Sequence, residues 1–299
     1  MLLKYNIIKF IYSFIILLGL SLSAISCNSY NGLLPQGKNI RKSILSTSGL
    51  IAFWDFDLKQ NSPKKSVGEI SVELKNGTNK EVQVINEGPV SGYSISLEGD
   101  NYLYIPYEET GKLNVRTNNV TVIAWVKWAD QNNCFIAGMW NEYQDGGKRQ
   151  YGLFVSLPYY NGASQVCGHI SQTGKPTEPF PFSIDYSASK QIVPKNEWCC
   201  IAFTYDGSCI KSYLNGEFES RDPELINNTK GFPGYPDGLV QSKNPYFFPN
   251  GIGNNGSDFT VGAVLLKRGM GNFFKGLIGG VAIYDRALTN DEIKELAVL

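Results

Sequence analysis

Phe273-Phe274-Lys275-Gly276-Leu277-Ile278-Gly279-Gly280-Val281-Ala282-Ile283-Tyr284 decides the architecture, together with Asp285-Arg286-Ala287-Leu288-Thr289-Asn290-Asp291-Glu292-Ile293 directly after it. Leu277, Val281 and Ile283 fall on one face at period two and Ile278, Ala282 and Tyr284 on the other. Both faces are apolar, which predicts a strand covered on both sides. Thr289 and Glu292 then stand at capping-box spacing, with Leu288 and Ile293 placed as a hydrophobic staple, so a short helix is predicted to start where the strand ends.

Working outward, Ile51-Ala52-Phe53-Trp54-Asp55-Phe56-Asp57 alternates in the same way, with Phe53 and Asp55 opposite Ala52, Trp54 and Phe56. Asp206-Gly207 sits between two alternating runs, Trp198 to Tyr205 and Cys209 to Leu214, and predicts a hairpin. Pairing Tyr205 with Ser208 sets Thr204 opposite Cys209 and leaves Cys200 about 13 Å along the ladder, which argues against a Cys200–Cys209 bridge. Cys134, Cys167, Cys199, Cys200 and Cys209 show no CxxC pair, so zinc is disfavoured and most of them read as small buried hydrophobes. With 17 Tyr, 31 Gly and 13% aromatic residues, the composition favours strands and turns. Many short alternating runs point to an all-β sandwich or barrel.

Tyr284-Asp285-Arg286-Ala287-Leu288-Thr289, followed by Glu292-Ile293, resembles the closing segment of the laminin G-like branch of the concanavalin A-like lectin/glucanase superfamily. Ser94 to Pro106, with its Gly99-Asp100 turn, resembles a second segment of that family, and Asn119 to Trp128 its central strand. Trp198 to Gly216 resembles the following hairpin, departing from the family in Cys199-Cys200, where His is frequent, and in Asn215, where Asp is usual. The resemblance runs from about Ser48 to Leu296. It implies a two-sheet antiparallel jelly-roll sandwich with a short C-terminal helix, as one domain over residues 48–299.

The N-terminus carries Lys4 and Lys9, an apolar run from Phe10 to Ile25, and then Ser26-Cys27. A basic n-region, a short h-region and a small residue before Cys predict a signal peptide over residues 1–26 and a lipid on Cys27, as in a bacterial lipoprotein. Residues 27–47, rich in Ser, Asn and Gly, are expected to be the lipidated Cys and a flexible tether. The expected location is the bacterial cell envelope, at the outer membrane, with the membrane met through the lipid anchor only. Cleavage removes two lysines and leaves a slight acidic excess without a basic stripe, so no nucleic-acid partner is expected.

Three stretches, residues 140–150, 174–190 and 227–258, are too long and too rich in Pro and aromatics for ordinary hairpin loops. Flat rings beside Asn, Asp, Lys and Arg suit a sugar, whose C–H faces stack on aromatics while its hydroxyls need donors and acceptors. These loops are expected to converge near His169, with Trp140, Arg149, Tyr151, His169, Asp185, Tyr186, Tyr235 and Tyr246 as candidate ligand-binding residues. The alternatives are that the rings only fold the loops onto the sandwich and that His169 is structural.

Glu98-Gly99-Asp100 begins a glucanase-type carboxylate motif, but no Glu follows at the needed spacing, and the offset of Glu142 and Asp145 does not put them on one strand face. Many relatives hold calcium at the sheet rim, and Asp57 and Asp285 are the pair of that kind here; no cofactor is required. The function expected is non-catalytic glycan binding. A protein-binding or structural laminin G-like module, and a glycoside hydrolase or lyase with an unrecognised catalytic pair, are the alternatives.

Overall fold

Lys275–Tyr284 is a ten-residue strand in the interior of an eight-stranded sheet. Val120–Trp128 flanks it on one side; on the other, Ser94–Glu98 covers its first half and Leu50–Trp54 its second. Trp198–Tyr205, Cys209–Leu214 and Tyr246–Phe247 extend the sheet beyond Val120–Trp128, and Gln83–Ile85 closes the other edge. The computed structural model describes residues 40–299, apart from 144–146, 159–161, 178–185, 223–224, 227–238, 241 and 255.

A nine-stranded sheet packs against the first. Its order is Tyr186–Ile192, Gly162–Ile170, Lys148–Leu157, Cys134–Asn141, Phe259–Val261, Leu103–Ile105 and Lys75–Asn76, and the hairpin of Val264–Leu266 and Gly269–Gly271 joins it beside Cys134–Asn141. Inward-facing Val122, Ala124, Val126, Ile136, Met139, Leu153 and Val155 fill the space between the sheets. Trp54 stacks on Phe259 across that space, with ring centroids 5.4 Å apart. The expected jelly-roll sandwich is therefore the architecture observed, and it brings the first strand, Leu50–Trp54, against the last.

The outer face of the eight-stranded sheet is covered by two seven-residue helices, Ile40–Ser46 and Asn290–Leu296. The second has the capping box read from the sequence, with Thr289 Oγ1 accepting from Glu292 N and Glu292 Oε2 accepting from Thr289 N. Arg286 forks onto the same carboxylate through Nη1 at 2.9 Å and Nη2 at 2.5 Å. Its hydrogen bonds hold the Glu292 carboxyl down to about 2. A folded value below the unfolded one contributes stability at pH above the unfolded value of ~4.3, and that contribution is lost as pH falls toward the folded value. Between about pH 5 and pH 2 the melting temperature of the parent is expected to fall further than that of Glu292→Gln. Parallel profiles would show that the carboxylate contributes nothing.

Three local readings are corrected. Ile278 was expected beside Ala282 and Tyr284, but Ile278 pairs with Val126 and Gly280 with Trp125, so Gly279 is an extra residue in the ladder. That bulge shifts the alternation by one, and Ile278 joins Val281 and Ile283 in the inter-sheet core. In the hairpin, Asp206 Oδ1 accepts from the backbone N–H of both Ser208 and Cys209, which widens the turn. Tyr205 then pairs with Ile210 and Thr204 with Lys211, and all five described cysteines are free thiols. Burial pushes Cys134 up to about 11 and Cys167 and Cys199 up to about 12, so none is poised as a nucleophile.

The third correction concerns residues 40–47, which were expected to be tether. Ile40 and Ile44, one turn apart, bury against Phe53, Tyr284 and Ile293, while Arg41 meets the buried Asp55 carboxylate at 2.6 Å. An apolar pair at i, i+4 forms a helix because the C-terminal helix offers a surface to cover it.

Candidate functional site

The face of the nine-stranded sheet turned away from the core carries a second aromatic layer. Along Cys134–Asn141 and Lys148–Leu157, Met139 pairs with Tyr151 and Trp140 with Arg149, so Gln150 is inserted as a bulge. The insertion breaks the period-two alternation between Arg149 and Tyr151. Tyr151 points inward and is fully buried, its hydroxyl donating to Leu113 O at 2.8 Å, whereas Arg149 lies over the outward Trp140 ring at 5.4 Å. His169, opposite Gly152 on the next strand, sits with its ring 4.2 Å from that of Trp140 and 5.6 Å from that of Tyr186.

This layer is internally satisfied. Glu142 Oε1 accepts from Arg149 Nη2 at 2.8 Å, its other carboxylate oxygen accepts from Trp140 Nε1, and its carbonyl accepts from Arg149 Nε and Nη2 at 3.2 and 3.1 Å. Tyr186 donates its hydroxyl to Leu157 O. Trp140 and Arg149 are 1% exposed and His169 is 8% exposed, so the layer holds the surface above it rather than offering itself to solvent.

Beside it the surface opens into a cavity of about 290 Å³, at the low end of the ~300–1,000 Å³ usual for small-molecule sites. Tyr102, Trp140, Leu265 and Met270 supply its apolar lining, and Asn141, Lys148, Ser257, Asp258 and Thr260 its polar lining. Across Lys148 and Gly256 it adjoins a more open depression of about 370 Å³ lined by Tyr107, Thr173, Lys175 and Asn254.

The rings are held in place by glycine. A Cβ at Gly77 would lie 2.1 Å from the Tyr102 ring, so only glycine lets that ring settle there. Tyr102 is steadied further by Tyr104 and Phe273, at centroid distances of 6.3 and 6.4 Å. Burial, with Tyr104 and Asp258 adding to it, pushes the Tyr102 phenol up. Asp258 Oδ1 accepts from Tyr107 N at 2.9 Å and retains further acceptor capacity toward the groove.

Residues 97–234 match the family model of the concanavalin A-like lectin/glucanases superfamily. That stretch is similar to the concanavalin A-like lectins and glucanases. Solved structures agree on the fold. Domain 4 of an extracellular arabinanase from Geobacillus stearothermophilus, in complex with arabinotriose, aligns with a TM-score of 0.53 at 17% identity, over 83% of this chain and 98% of that one. The binding domain of botulinum neurotoxin DC, in complex with SialylT, aligns with a TM-score of 0.50 at 9% identity, over 83% of this chain and half (50%) of that one. No curated protein matches the chain by sequence.

Of the candidate residues, Trp140, Arg149, His169 and Tyr186 lie together on the outer face of the nine-stranded sheet, and Trp140 borders the groove. Tyr151 does not join them, for the reason given by the bulge. Tyr246 belongs to the other sheet, paired with Ile210 at its edge and packed against Phe248. Asp185, Tyr235 and Cys27 lie outside the described residues.

Asp57 and Asp285 do not meet. They follow the C-terminal ends of antiparallel strands, and Leu50, not Trp54, is opposite Tyr284, so about 13 Å or more of ladder separates them. Among the described residues no cluster of three His, Cys, Asp or Glu side chains is placed to hold a metal ion, and the pair does not fit calcium. Glu98 and Asp100 both bind Lys80 at the exposed sheet edge.

Sequence reasoning passed over Tyr102, Tyr107, Lys148 and Asp258. Tyr102 and Tyr104 alternate with inward Leu103 and Ile105, so their outward direction was legible, but their neighbours across the sheet were not.

Proposed function

We propose that the groove holding Tyr102 and Trp140 binds an oligo- or polysaccharide without cleaving it, on an exported protein tied to the bacterial envelope, at the outer membrane, by a lipid on Cys27. The observation that carries this reading is the pairing of the half-buried Tyr102 ring with hydrogen-bonding side chains in one open groove backed by the buried Trp140: Tyr102 beside Asn141, Lys148, Ser257 and Asp258. Sugars need that combination, rings for their C–H faces and converging donors and acceptors for their hydroxyls. Both structures similar in fold are described as complexes with saccharide-type ligands, arabinotriose and SialylT, which supports the same class of ligand here.

Glycoside hydrolysis uses two carboxyl groups about 5–10 Å apart across the scissile bond. Asp258 is the carboxylate in the described lining, and Glu142, behind Trp140, is locked by Arg149. This supports binding over turnover. A glycan-array screen of the mature protein, followed by titration calorimetry with the best hit, tests the reading; an array without a saturable hit would overturn it.

The anchor is tested separately. Mass spectrometry of the membrane fraction is expected to show a mature chain starting at lipid-modified Cys27. An intact Met1 terminus, or a Cys27→Ala protein that still pellets with membranes after signal removal, would defeat it.

A further inference from the structure

We propose that the groove selects glycans bearing acidic substituents, a uronate carboxylate or a sulfate ester, and that Lys267 and Arg268 are the residues that meet them; this rests on the groove being the glycan site. Val264–Leu266 and Gly269–Gly271 form a hairpin in which Leu265 pairs with Met270, and both of these side chains line the groove. Lys267-Arg268 is its turn, exposed and only two residues from Leu265, or about 7 Å along the strand. The hairpin is fixed to the sheet: Leu265 pairs with Asn141, and Leu265 O accepts from Glu142 N at 2.8 Å. Two cations are thus held on a rigid arm at the groove's edge.

Lys148 lines the groove itself and Lys175 the depression beyond it, and the Lys267-Arg268 turn follows two lining residues, while the carboxylate of the described lining, Asp258, already accepts from Tyr107 N. Lys175, Lys267 and Arg268 form no ion pair with a described residue, which leaves their charges open to a ligand. Exposed charges act over roughly one Debye length, ~8 Å at physiological ionic strength, which covers the distance from the turn to the groove. Such a field raises the local concentration of an anionic ligand and makes its binding salt-dependent.

The test compares three ligands of equal length on the mature protein by titration calorimetry: an oligogalacturonate, a chondroitin sulfate oligosaccharide and a neutral cello-oligosaccharide. At low salt an acidic ligand is expected to bind about tenfold tighter than the neutral one, with the gap closing as salt is raised. Lys267→Glu/Arg268→Glu is expected to erase that gap, with circular dichroism showing an intact fold. The oligogalacturonate carries carboxylates alone and the chondroitin sulfate carries carboxylates and sulfates, so tighter binding of the second assigns a share to sulfate, and a preference for either over the neutral ligand supports the inference. Equal affinity for neutral and acidic ligands would overturn it and leave the groove reading standing. Acidic preference that survives the double substitution would overturn the role of the hairpin, and no binding of any glycan would remove both readings together.

Discussion

Arg149→Ala is expected to lower the stability of the domain by about 3–5 kcal/mol, the cost of breaking a buried ion pair from one side. The guanidinium is 1% exposed in its side chain and Glu142 is 18% exposed, so water cannot take over the role of the lost partner. Three hydrogen bonds donated by Arg149 to Glu142 go at once, two of them to the backbone carbonyl, and Trp140 loses the cation over its ring. Among the described residues, the Glu142 carboxylate would keep the bond from Trp140 Nε1. The ion pair is not itself a large source of stability, because removing both charges from water opposes their attraction. Arg149→Met/Glu142→Gln, with an apolar stem in place of the guanidinium, is therefore expected to recover most of the loss. Urea unfolding of the three proteins measures this, and a single variant within about 1 kcal/mol of the parent would show that the cluster is not held by its charges.

Tyr102→Ala is expected to weaken binding of the best array hit at least tenfold, since a few aromatic anchors carry most of the energy in small interfaces. Tyr102 is one of the rings of the groove not buried beneath its surface, and its fixed position against Gly77 means that little ordering is needed on binding. Tyr102→Phe separates the two roles of the side chain. If stacking dominates, it stays near the parent; a loss comparable to that of alanine would assign the energy to the hydroxyl. Tyr246→Ala, on the opposite sheet, serves as the reference and is expected to bind as the parent does. A folded Tyr102→Ala protein with parental affinity would place the ligand elsewhere on the domain.

The sequence by itself determined an all-β sandwich or barrel, because its decisive signals are local, and its resemblance to the laminin G-like family narrowed that to the two-sheet sandwich. Alternation in Leu50–Trp54 and Lys275–Tyr284, the Asp206-Gly207 turn and the Thr289/Glu292 cap each follow from a few neighbouring residues. Of the eight residues it grouped, Trp140, Arg149, His169 and Tyr186 share one face, since His169 lies opposite Gly152 on adjacent strands. Only the tertiary structure decided the rest. The bulges at Gly279 and Gln150 each invert an alternation, which sends Ile278 into the core and separates Arg149 from Tyr151. The helix Ile40–Ser46 exists because the C-terminal helix gives two isoleucines somewhere to bury. The groove brings Tyr102 against Asp258 and Met270, residues more than 150 positions away in the chain, through the pairing of Leu103–Ile105 with Phe259–Val261. Period-two patterns report which face a side chain takes, and not which strand lies beside it, so a site built across strands is fixed by sheet order alone.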